Sequence, residues 1–433
     1  MKIKNALVGN FLEFLVIITF IAFLILRISP NTTSDNDISR LAGIISVARY
    51  GELNIDQTVQ KVTGDRVEYA GKKYSSKPPA LNVLIGLIVK GISSVKPAWL
   101  QNDIAIYRLS TLIITVTPLI FLFMLFKYLL ERILSVPSFK ALFFSLFLVL
   151  GTLIFTFSSS LNNHILIAFL QLVLFKQLVL NFPKTKLDGL IIGLLCGAIF
   201  AVDITYGVVV VPLSFIFLYT KNKFKDLNLF FYVLLGSVPL VGFHLILSYI
   251  QFHTIIPPQL LPEIYLSYPN SKWIGDVTGM LALNHPIALR LFNYTFGSYG
   301  LFLYQPILLL PFLNKTNWKN KVWIYAVSIT FGYILFNAIM QPDYGGSSFG
   351  PRRFLPLIPM LYWFVVKDFF AVWKDKYNAS RFLAILLLCL TIGISILGYL
   401  NPWQNWNYFN GTERYFYFPL VFTVRKMLGW SII

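Results

Sequence analysis

Charged residues are scarce in this chain. They make up 12% of its 433 residues, whereas hydrophobic residues make up 57% and the mean hydropathy is +0.69. A soluble globular domain carries about 25% charged residues, so a chain of this composition cannot cover a water-facing surface of its size. The composition excludes a soluble enzyme and predicts an all-α integral membrane protein, with residues 1–433 forming one unit.

Metal-binding and nucleotide-binding motifs are also lacking. The two cysteines, Cys196 and Cys389, lie in apolar runs, which excludes a disulfide framework and a cysteine-based metal site. The four histidines are too scattered for a spaced metal motif, so we expect no metal and no cofactor. GxxxxGK[ST], GxGxxG, HExxH and GxSxG are all missing. Any reaction therefore needs a donor that is already activated.

Acidic residues are few, since 18 Asp and Glu residues stand against 36 Lys and Arg residues, which gives a formal net charge of +18. The basic residues flank apolar runs, so membrane topology and anionic lipid headgroups account for much of this charge. We therefore expect membrane lipid as a partner and no nucleic acid.

Runs of about 20 apolar residues are long enough to cross a bilayer as helices. The sequence predicts eleven such spans, near residues 10–27, 107–127, 140–157, 163–181, 187–202, 204–220, 228–250, 299–313, 322–340, 354–371 and 382–400.

Basic clusters fall at every second boundary between these spans, in short loops where the positive-inside rule applies best. They include Lys2/Lys4, Lys127/Arg132/Lys140, Lys184/Lys186, Lys221/Lys223/Lys225, Lys315/Lys319/Lys321 and Lys367/Lys374/Lys376/Arg381. The alternation predicts a cytoplasmic N-terminus and an outside C-terminus, and we place the protein in a bacterial inner (cytoplasmic) membrane.

The long polar segments then all lie outside, at residues 28–106, 251–298, 341–353 and the tail 401–433. Within the first outer loop, Ile38–Tyr50 has apolar residues at helical spacing with Arg40 and Arg49 on the other side, which predicts a helix on the membrane surface. Ala80–Val95 is apolar but short and carries Lys90, which predicts a second interfacial helix. The aromatic tail predicts an interfacial belt that includes Trp403, Trp406, Tyr408, Tyr415 and Tyr417.

Two carboxylates, Asp35 and Asp37, follow the first span directly, with Arg40 close behind. A carboxylate at a bilayer surface can act as a general base toward an acceptor hydroxyl or amine. Asp37 or a neighbour can equally cap the surface helix. The two roles stay open at this point, and one aspartate can fill each.

Lys77 stands immediately before Pro78-Pro79. The two prolines stiffen the chain and fix where a helix begins, which would hold the Lys77 ammonium at a defined place, suited to a phosphate. An ordinary loop lysine near lipid headgroups is the alternative.

A glycine-rich stretch, residues 341–356, contains Asp343 and Tyr344 and ends in Arg352-Arg353 at the predicted outer boundary of the tenth span. Arginine recognises phosphate through two parallel hydrogen bonds. Because arginines on the outer side oppose the general charge bias, we favour phosphate binding here. Asn162-Asn163-His164 and Asp203 are weaker candidates, since ionisable residues at membrane depth usually face a cavity.

The order of these motifs resembles the GT-C fold of polyprenyl-phosphate-sugar-dependent glycosyltransferases, in particular the protein O-mannosyltransferases and the lipid A aminoarabinose transferases. The resemblance runs from about residue 10 to about 360. It rests on the acidic motif in the first outer loop, Tyr74-x-x-Lys77-Pro78-Pro79, Asn163-His164, Gly300-Leu-Phe-Leu-Tyr304-Gln-Pro306 and Tyr344-Gly-Gly-Ser-Ser-Phe-Gly-Pro-Arg352.

The resemblance implies that Asp37 is the catalytic base, with Asp35 as the other candidate, and that Lys77 lies near the donor phosphate. The Asp-Glu pair of the protein mannosyltransferases is absent, so a lipid or glycan acceptor is expected as well as a protein. We expect the lipid-linked donor to be bound by Arg40, Lys77, His164, Asp343, Tyr344, Arg352 and Arg353.

The leading hypothesis is an inverting glycosyltransferase that moves a sugar from a polyprenyl-phosphate donor at the outer face. Two alternatives use the same basic groove: a transporter or flippase for lipid-linked sugars, and an outer-face glycan polymerase or ligase. Internal repeats and discontinuous helices would favour a transporter, and the sequence shows no repeat.

The charge alternation makes a direct prediction about topology. In intact cells, a single cysteine placed at residue 185 should resist an impermeant thiol reagent, whereas one at residue 345 should react. Labelling at residue 185, or protection at residue 345, would contradict the predicted orientation.

Overall fold

The computed structural model describes residues 2–180, 185–221, 227–256, 258, 261–266, 282–346, 348–374, 378–403 and 418–428. Outside this part of the chain lie the predictions made for loop residues Lys184, Lys223, Lys225 and Lys376 and for tail residues Trp406, Tyr408, Tyr415 and Tyr417.

The first 101 residues form one apolar helix followed by a compact polar segment. These elements are α1 (Lys2–Leu26), α2 (Asp35–Ile45) with a π-turn at Ser46–Tyr50, a 3-10 turn at Val59–Val62, strands β1 (Arg66–Tyr69) and β2 (Lys72–Ser75), α3 (Pro79–Val95), and a 3-10 turn at Pro97–Gln101. β1 and β2 pair antiparallel, with Val67 opposite Tyr74. Nothing in the residue pattern had predicted this hairpin.

The central helices follow at short intervals. They are α4 (Asp103–Thr111), which continues through a π-turn into α5 (Thr117–Arg132), α6 (Ser138–Leu150), α7 (Leu153–Thr156), α8 (Asn163–Phe175) with a π-turn at Lys176–Leu180, α9 (Lys186–Val202), α10 (Ile204–Lys221) and α11 (Leu227–Phe252).

The remaining helices include several short ones. They are α12 (Pro262–Tyr265), α13 (Ile287–Thr295), α14 (Leu301–Tyr304), α15 (Leu310–Leu313), α16 (Lys321–Met340), α17 (Ile358–Lys374), α18 (Asn378–Leu400) and α19 (Pro419–Met427), with 3-10 turns at Ala282–Asn284, Pro306–Leu309, Lys315–Lys319 and Arg352–Leu357.

Six stretches of the described helices are long and apolar enough to cross a bilayer. They are Asp103–Arg132, Ile204–Lys221, Asn228–Phe252, Lys321–Met340, Arg352–Trp373 and Asn378–Leu400, and shorter apolar helices accompany them. The prediction of an all-α, multi-pass integral membrane protein is confirmed, apart from the small hairpin.

Each predicted span contains helix, but two are interrupted. The third ends at Leu150 and resumes for one turn after Gly151 and Thr152. The eighth, 299–313, consists of α14 and α15 joined by a 3-10 turn rather than one continuous helix. Pro306 and Pro311 explain this break, because proline lacks the N–H that a continuous helix needs.

Helix α2 forms where a surface helix was predicted, but it is buried on both sides. Arg40 is 1% exposed and donates from Nη2 to Asn163 Oδ1 at 2.8 Å. The apolar residues of α2 pack against α3. Gly43 of α2 and Gly86 of α3 allow the two helices to approach each other closely. The prediction of a helix on the membrane surface is therefore wrong for α2, because its polar face lies over a cavity in the protein.

The predicted loops separate into two groups at opposite ends of the helices. At the end predicted to be outside, hydrogen bonds join Ser29 to Ser159, Asn163 to Val202, and Phe349 to Pro402. At the other end they join Ser138 to Glu13, Lys221 to Val179, and Asn314 to Asp368. Loops that were predicted to lie on the same side of the membrane thus lie at the same end of the helices. The compartment that each end faces stays a prediction.

Helices α9 and α11 pack closely through glycine. Gly189, Gly193 and Gly197 recur every four residues on α9, a spacing that puts them on one face. A Cβ atom at Gly193 would overlap the carbonyl oxygen of Val233, and one at Gly236 would overlap that of Leu190. This contact fixes the position of the end of α9, and Asp203 follows directly after that end.

The glycine contact predicts a stability difference between two Gly→Ala variants. Gly193→Ala must push the helix backbones apart and should cost about 1–3 kcal/mol, which thermal unfolding of the purified protein in detergent would measure. Gly242→Ala, on α11, is the matched control, because its new methyl group would meet nothing within 4 Å. Equal unfolding temperatures for the two variants would contradict the close packing.

Candidate functional site

A polar cavity of about 90 Å³ lies at the end of the bundle that is predicted to be outside. Seven separate stretches of the chain converge on it. Its lining residues are Asn36, Arg40, Lys77, Pro78, Asn163, His164, Asp203, Ile204, Thr205, Tyr265, Gln341, Arg352 and Arg353.

Arg40 is the most deeply buried cation at the cavity. Its Nη2 donates to Asn163, while Nε and Nη1 are buried without a hydrogen-bond partner among the described residues. Burial lowers the pKa of Arg40 to about 10, and the negative charges of Asp203 and Asp37 oppose that shift. The guanidinium therefore stays charged at neutral pH and has N–H groups left for a ligand.

Lys77 is held as the Pro-Pro sequence predicted. Pro78 is the N-cap of α3 and Pro79 its first residue, and the Lys77 backbone N–H donates to Ser75 Oγ at 3.2 Å. Lys77 Nζ pairs with Asp65, which had not been predicted to take part. Burial lowers the pKa of Lys77 to about 8, with Asp65 opposing the shift and Arg352 adding to it.

Arg352 reaches the cavity from the 3-10 turn before α17. With its amide oxygen turned toward the guanidinium, Asn36 accepts from Nη1 at 2.9 Å and from Nη2 at 3.0 Å. The guanidinium lies over the ring of Trp403, 5.3 Å from its centroid, and Nε has no partner. Arg352 thus forms no ion pair within the described part of the chain.

Arg353, although adjacent, is held differently. Both of its terminal nitrogens donate to Asp343 at 2.6 Å, one to the backbone carbonyl and one to the carboxylate. Asp343 also accepts from the Gly345 N–H at 2.8 Å, so this ion pair shapes the glycine-rich loop. Asp343 lies behind Arg353 rather than on the cavity wall.

Tyr344 does not reach the cavity. Its hydroxyl lies 2.8 Å from His285 Nδ1, and its ring stacks on Tyr299 with centroids 5.9 Å apart. The structure therefore places Tyr344 in an aromatic group beside the site, and its role in donor binding stays an untested prediction.

Asp37 lies next to the cavity and is 1% exposed. Its Oδ2 accepts from the backbone N–H of Thr33 at 3.2 Å, from the Thr33 hydroxyl at 2.9 Å and from the Tyr107 hydroxyl at 3.4 Å. Ser34 also hydrogen-bonds the Asp37 carboxyl group. Burial raises the pKa of Asp37, against the opposing effects of the Thr33 hydrogen bonds and the Arg352 charge.

The structure distinguishes the two aspartates of the first loop. Ser34, not an aspartate, is the N-cap of α2, because its hydroxyl accepts from the Asp37 N–H at 3.3 Å. Asp35 is exposed at the first residue of the helix and lies beside Gly64, away from the cavity. Of the pair, Asp37 is thus the one placed near the cations.

His164 and Asp203 meet at the cavity wall, with His164 Nδ1 3.3 Å from Asp203 Oδ2. Asp203 Oδ1 accepts from Thr205 Oγ1 at 2.6 Å and from the Thr205 N–H at 3.0 Å. The sequence named His164 and Asp203 only as weaker candidates, and the structure brings both to the cavity. Asp65 and Tyr265 gave no sequence signal, because their approach to the site depends on the fold.

The arrangement suits an anion that carries more than one acceptor oxygen. Arg40 and Arg352 provide N–H groups that no carboxylate occupies, and Lys77 adds an ammonium group. Guanidinium donors bind phosphate through parallel hydrogen bonds, so a phosphate group fits this arrangement. No group of three or more His, Cys, Asp or Glu side chains in the described part of the chain is placed to hold a metal ion.

Comparisons with known proteins give one match. No protein-family model and no curated protein matches the sequence. Among solved structures, the chain is similar to ArnT from Cupriavidus metallidurans bound to undecaprenyl phosphate, with a TM-score of 0.47 and 12% sequence identity, over 96% of this chain and 77% of that one.

The lowered pKa of Lys77 predicts pH-dependent anion binding. Didodecyl phosphate is a suitable probe, because a phosphodiester has no second ionisation and keeps one negative charge between pH 7.5 and 9.5. Its affinity should fall above about pH 8, by up to about tenfold per pH unit, since Lys77 then loses its proton. Lys77→Arg should remove this pH dependence, and titration calorimetry at each pH would measure it. An unchanged slope in Lys77→Arg would show that Lys77 does not contact the anion.

Proposed function

We propose that this protein is a GT-C-type glycosyltransferase that moves a sugar from a polyprenyl-phosphate donor to an acceptor at the outer face of the membrane. The carrying observation is the buried guanidinium of Arg40, which faces the cavity with two N–H positions unpartnered. A buried cation without a carboxylate partner is costly unless a ligand supplies the negative charge. A lipid-linked sugar phosphate supplies that charge beside the membrane.

The charges around the cavity suit a leaving phosphate. Among the described residues, Asp65 pairs with Lys77 and Asp343 with Arg353, which leaves Arg40 and Arg352 for the donor. In the donor, the phosphate is a diester with one negative charge. When the bond between the anomeric carbon and the phosphate oxygen breaks, its electron pair goes to that oxygen and the charge rises toward two. Cations fixed in place therefore stabilise the transition state more than the bound donor.

Asp37 is the proposed general base. As an acceptor hydroxyl or amine attacks the anomeric carbon, the Asp37 carboxylate takes the proton of that group, which leaves a balanced displacement with inversion. Asp203 is less suited, because its Oδ1 accepts two hydrogen bonds from Thr205 and its Oδ2 lies 3.3 Å from His164 Nδ1. The hydrogen bonds from Thr33 and Tyr107 hold the Asp37 carboxylate in place through Oδ2.

Substitution of the two aspartates tests this assignment. Asp37→Asn keeps an oxygen to accept from Thr33, so the protein should fold, but transfer should fall by at least about 100-fold because general-base assistance is lost. Asp35→Asn is the matched control and should stay active. The readout is the mass of glycolipids and glycans in cells that lack the protein and are complemented with each variant.

Two other outcomes would redirect the proposal. Loss of the product only with Asp35→Asn would move the base to Asp35. Full activity of both variants would instead favour a transporter of lipid-linked sugars, for which the interrupted eighth span is the supporting observation. Retention of each variant in the membrane, measured by immunoblot, separates loss of activity from loss of protein.

A further inference from the structure

A second cavity, of about 340 Å³, lies at the opposite end of the bundle, between α15, α17 and α18. Most of its wall is apolar, and its polar groups come from three residues. The lining residues are Leu310, Leu313, Asn314, Asp368, Ala371, Val372, Ser380 and Leu383. The cavity lies in the group of contacts predicted to face the cytoplasm, so it is separate from the proposed transfer site.

Asp368 brings a buried carboxylate to this cavity, with the residue 2% exposed. Its Oδ1 accepts from Asn314 Nδ2 at 2.7 Å and its Oδ2 accepts from Asn317 Nδ2 at 2.6 Å. No basic side chain of the described residues forms a salt bridge with it, because the nearby Lys367 Nζ donates to Asn317 Oδ1 instead, at 3.2 Å. Two amide donors leave a lone pair on each oxygen for another donor.

Two of the lining residues are exposed leucines. Leu313 is 59% exposed and Leu383 is 37% exposed, which suits contact with acyl chains in a chain that spans the bilayer. Lys315 and Lys319 lie exposed on the 3-10 turn that follows Leu313. An apolar mouth, a buried carboxylate and flanking ammonium groups together fit an amphiphile that carries both an ammonium and a phosphate.

We propose that this cavity binds an aminophospholipid such as phosphatidylethanolamine. Its ammonium group donates to Asp368, its phosphate lies toward Lys315 and Lys319, and an acyl chain lies along Leu313 and Leu383. Phosphatidylcholine has the same phosphate and chains but no N–H to donate, so Asp368 discriminates against it. This site does not depend on the proposed transfer reaction.

Native mass spectrometry of the full-length protein with matched dioleoyl lipids tests the proposal. A charge-assisted hydrogen bond in a buried site should make phosphatidylethanolamine bind about tenfold or more tightly than phosphatidylcholine or phosphatidylglycerol. Asp368→Asn should remove that preference. The proposal would be overturned if phosphatidylethanolamine and phosphatidylcholine bound equally to the unmodified protein. It would also be overturned if Asp368→Asn kept the preference for phosphatidylethanolamine.

Further measurements test the proposal if the Asp368→Asn protein folds poorly. Ala371→Phe fills the cavity from its wall and should abolish the preference while Asp368 is retained. Gly393→Phe is the control of equal size on α18, at a position where a Cβ atom meets nothing within 4 Å, and should bind as the unmodified protein does. Phosphoethanolamine without acyl chains should not compete at millimolar concentration, and competition would show that the cavity binds a free amine instead of a lipid.

Discussion

The burial of the Arg40 guanidinium is the constraint around which the polar end of the bundle is organised. A buried cation is expensive, and carboxylates near it keep it charged without contacting it: the pKa of Arg40 falls only to about 10. A direct ion pair would satisfy the same charge but would occupy the N–H groups. Electrostatic support at a distance therefore stabilises the cation and leaves it able to bind a ligand.

This placement of Arg40 depends on how closely α2 packs into the protein. Gly43 lies against Asn82 of α3, and Gly86 of α3 lies against Val47. Larger side chains at either glycine would push the two helices apart and lift Arg40 away from Asn163. Small residues far from any chemistry thus set the position of the charged group, as the glycine contacts of α9 do for Asp203.

Much of the fold was predictable from the sequence, because membrane helices need long apolar runs and the lysines mark alternate ends. The positions of Lys77, Arg352 and Arg353 at one cavity also followed from local motifs. The burial of α2 did not, since an amphipathic pattern shows that a helix has a polar face but not whether that face meets water or a cavity. The hairpin and the approach of Asp65 and Tyr265 depend on contacts between distant segments, which no local pattern records.

Arg352 and Arg353 show why residue type alone does not assign a role. Adjacent in sequence and alike in chemistry, they differ in what surrounds them: Asp343 takes both terminal nitrogens of Arg353, whereas Arg352 meets the neutral amide of Asn36 and the ring of Trp403. An ion pair gives a loop a fixed shape, because its charge is already neutralised. A guanidinium held by a neutral amide and an aromatic face keeps its charge unneutralised, and it is this charge that an anionic ligand can use. The ion-paired arginine, Arg353, therefore fixes the loop that presents Arg352.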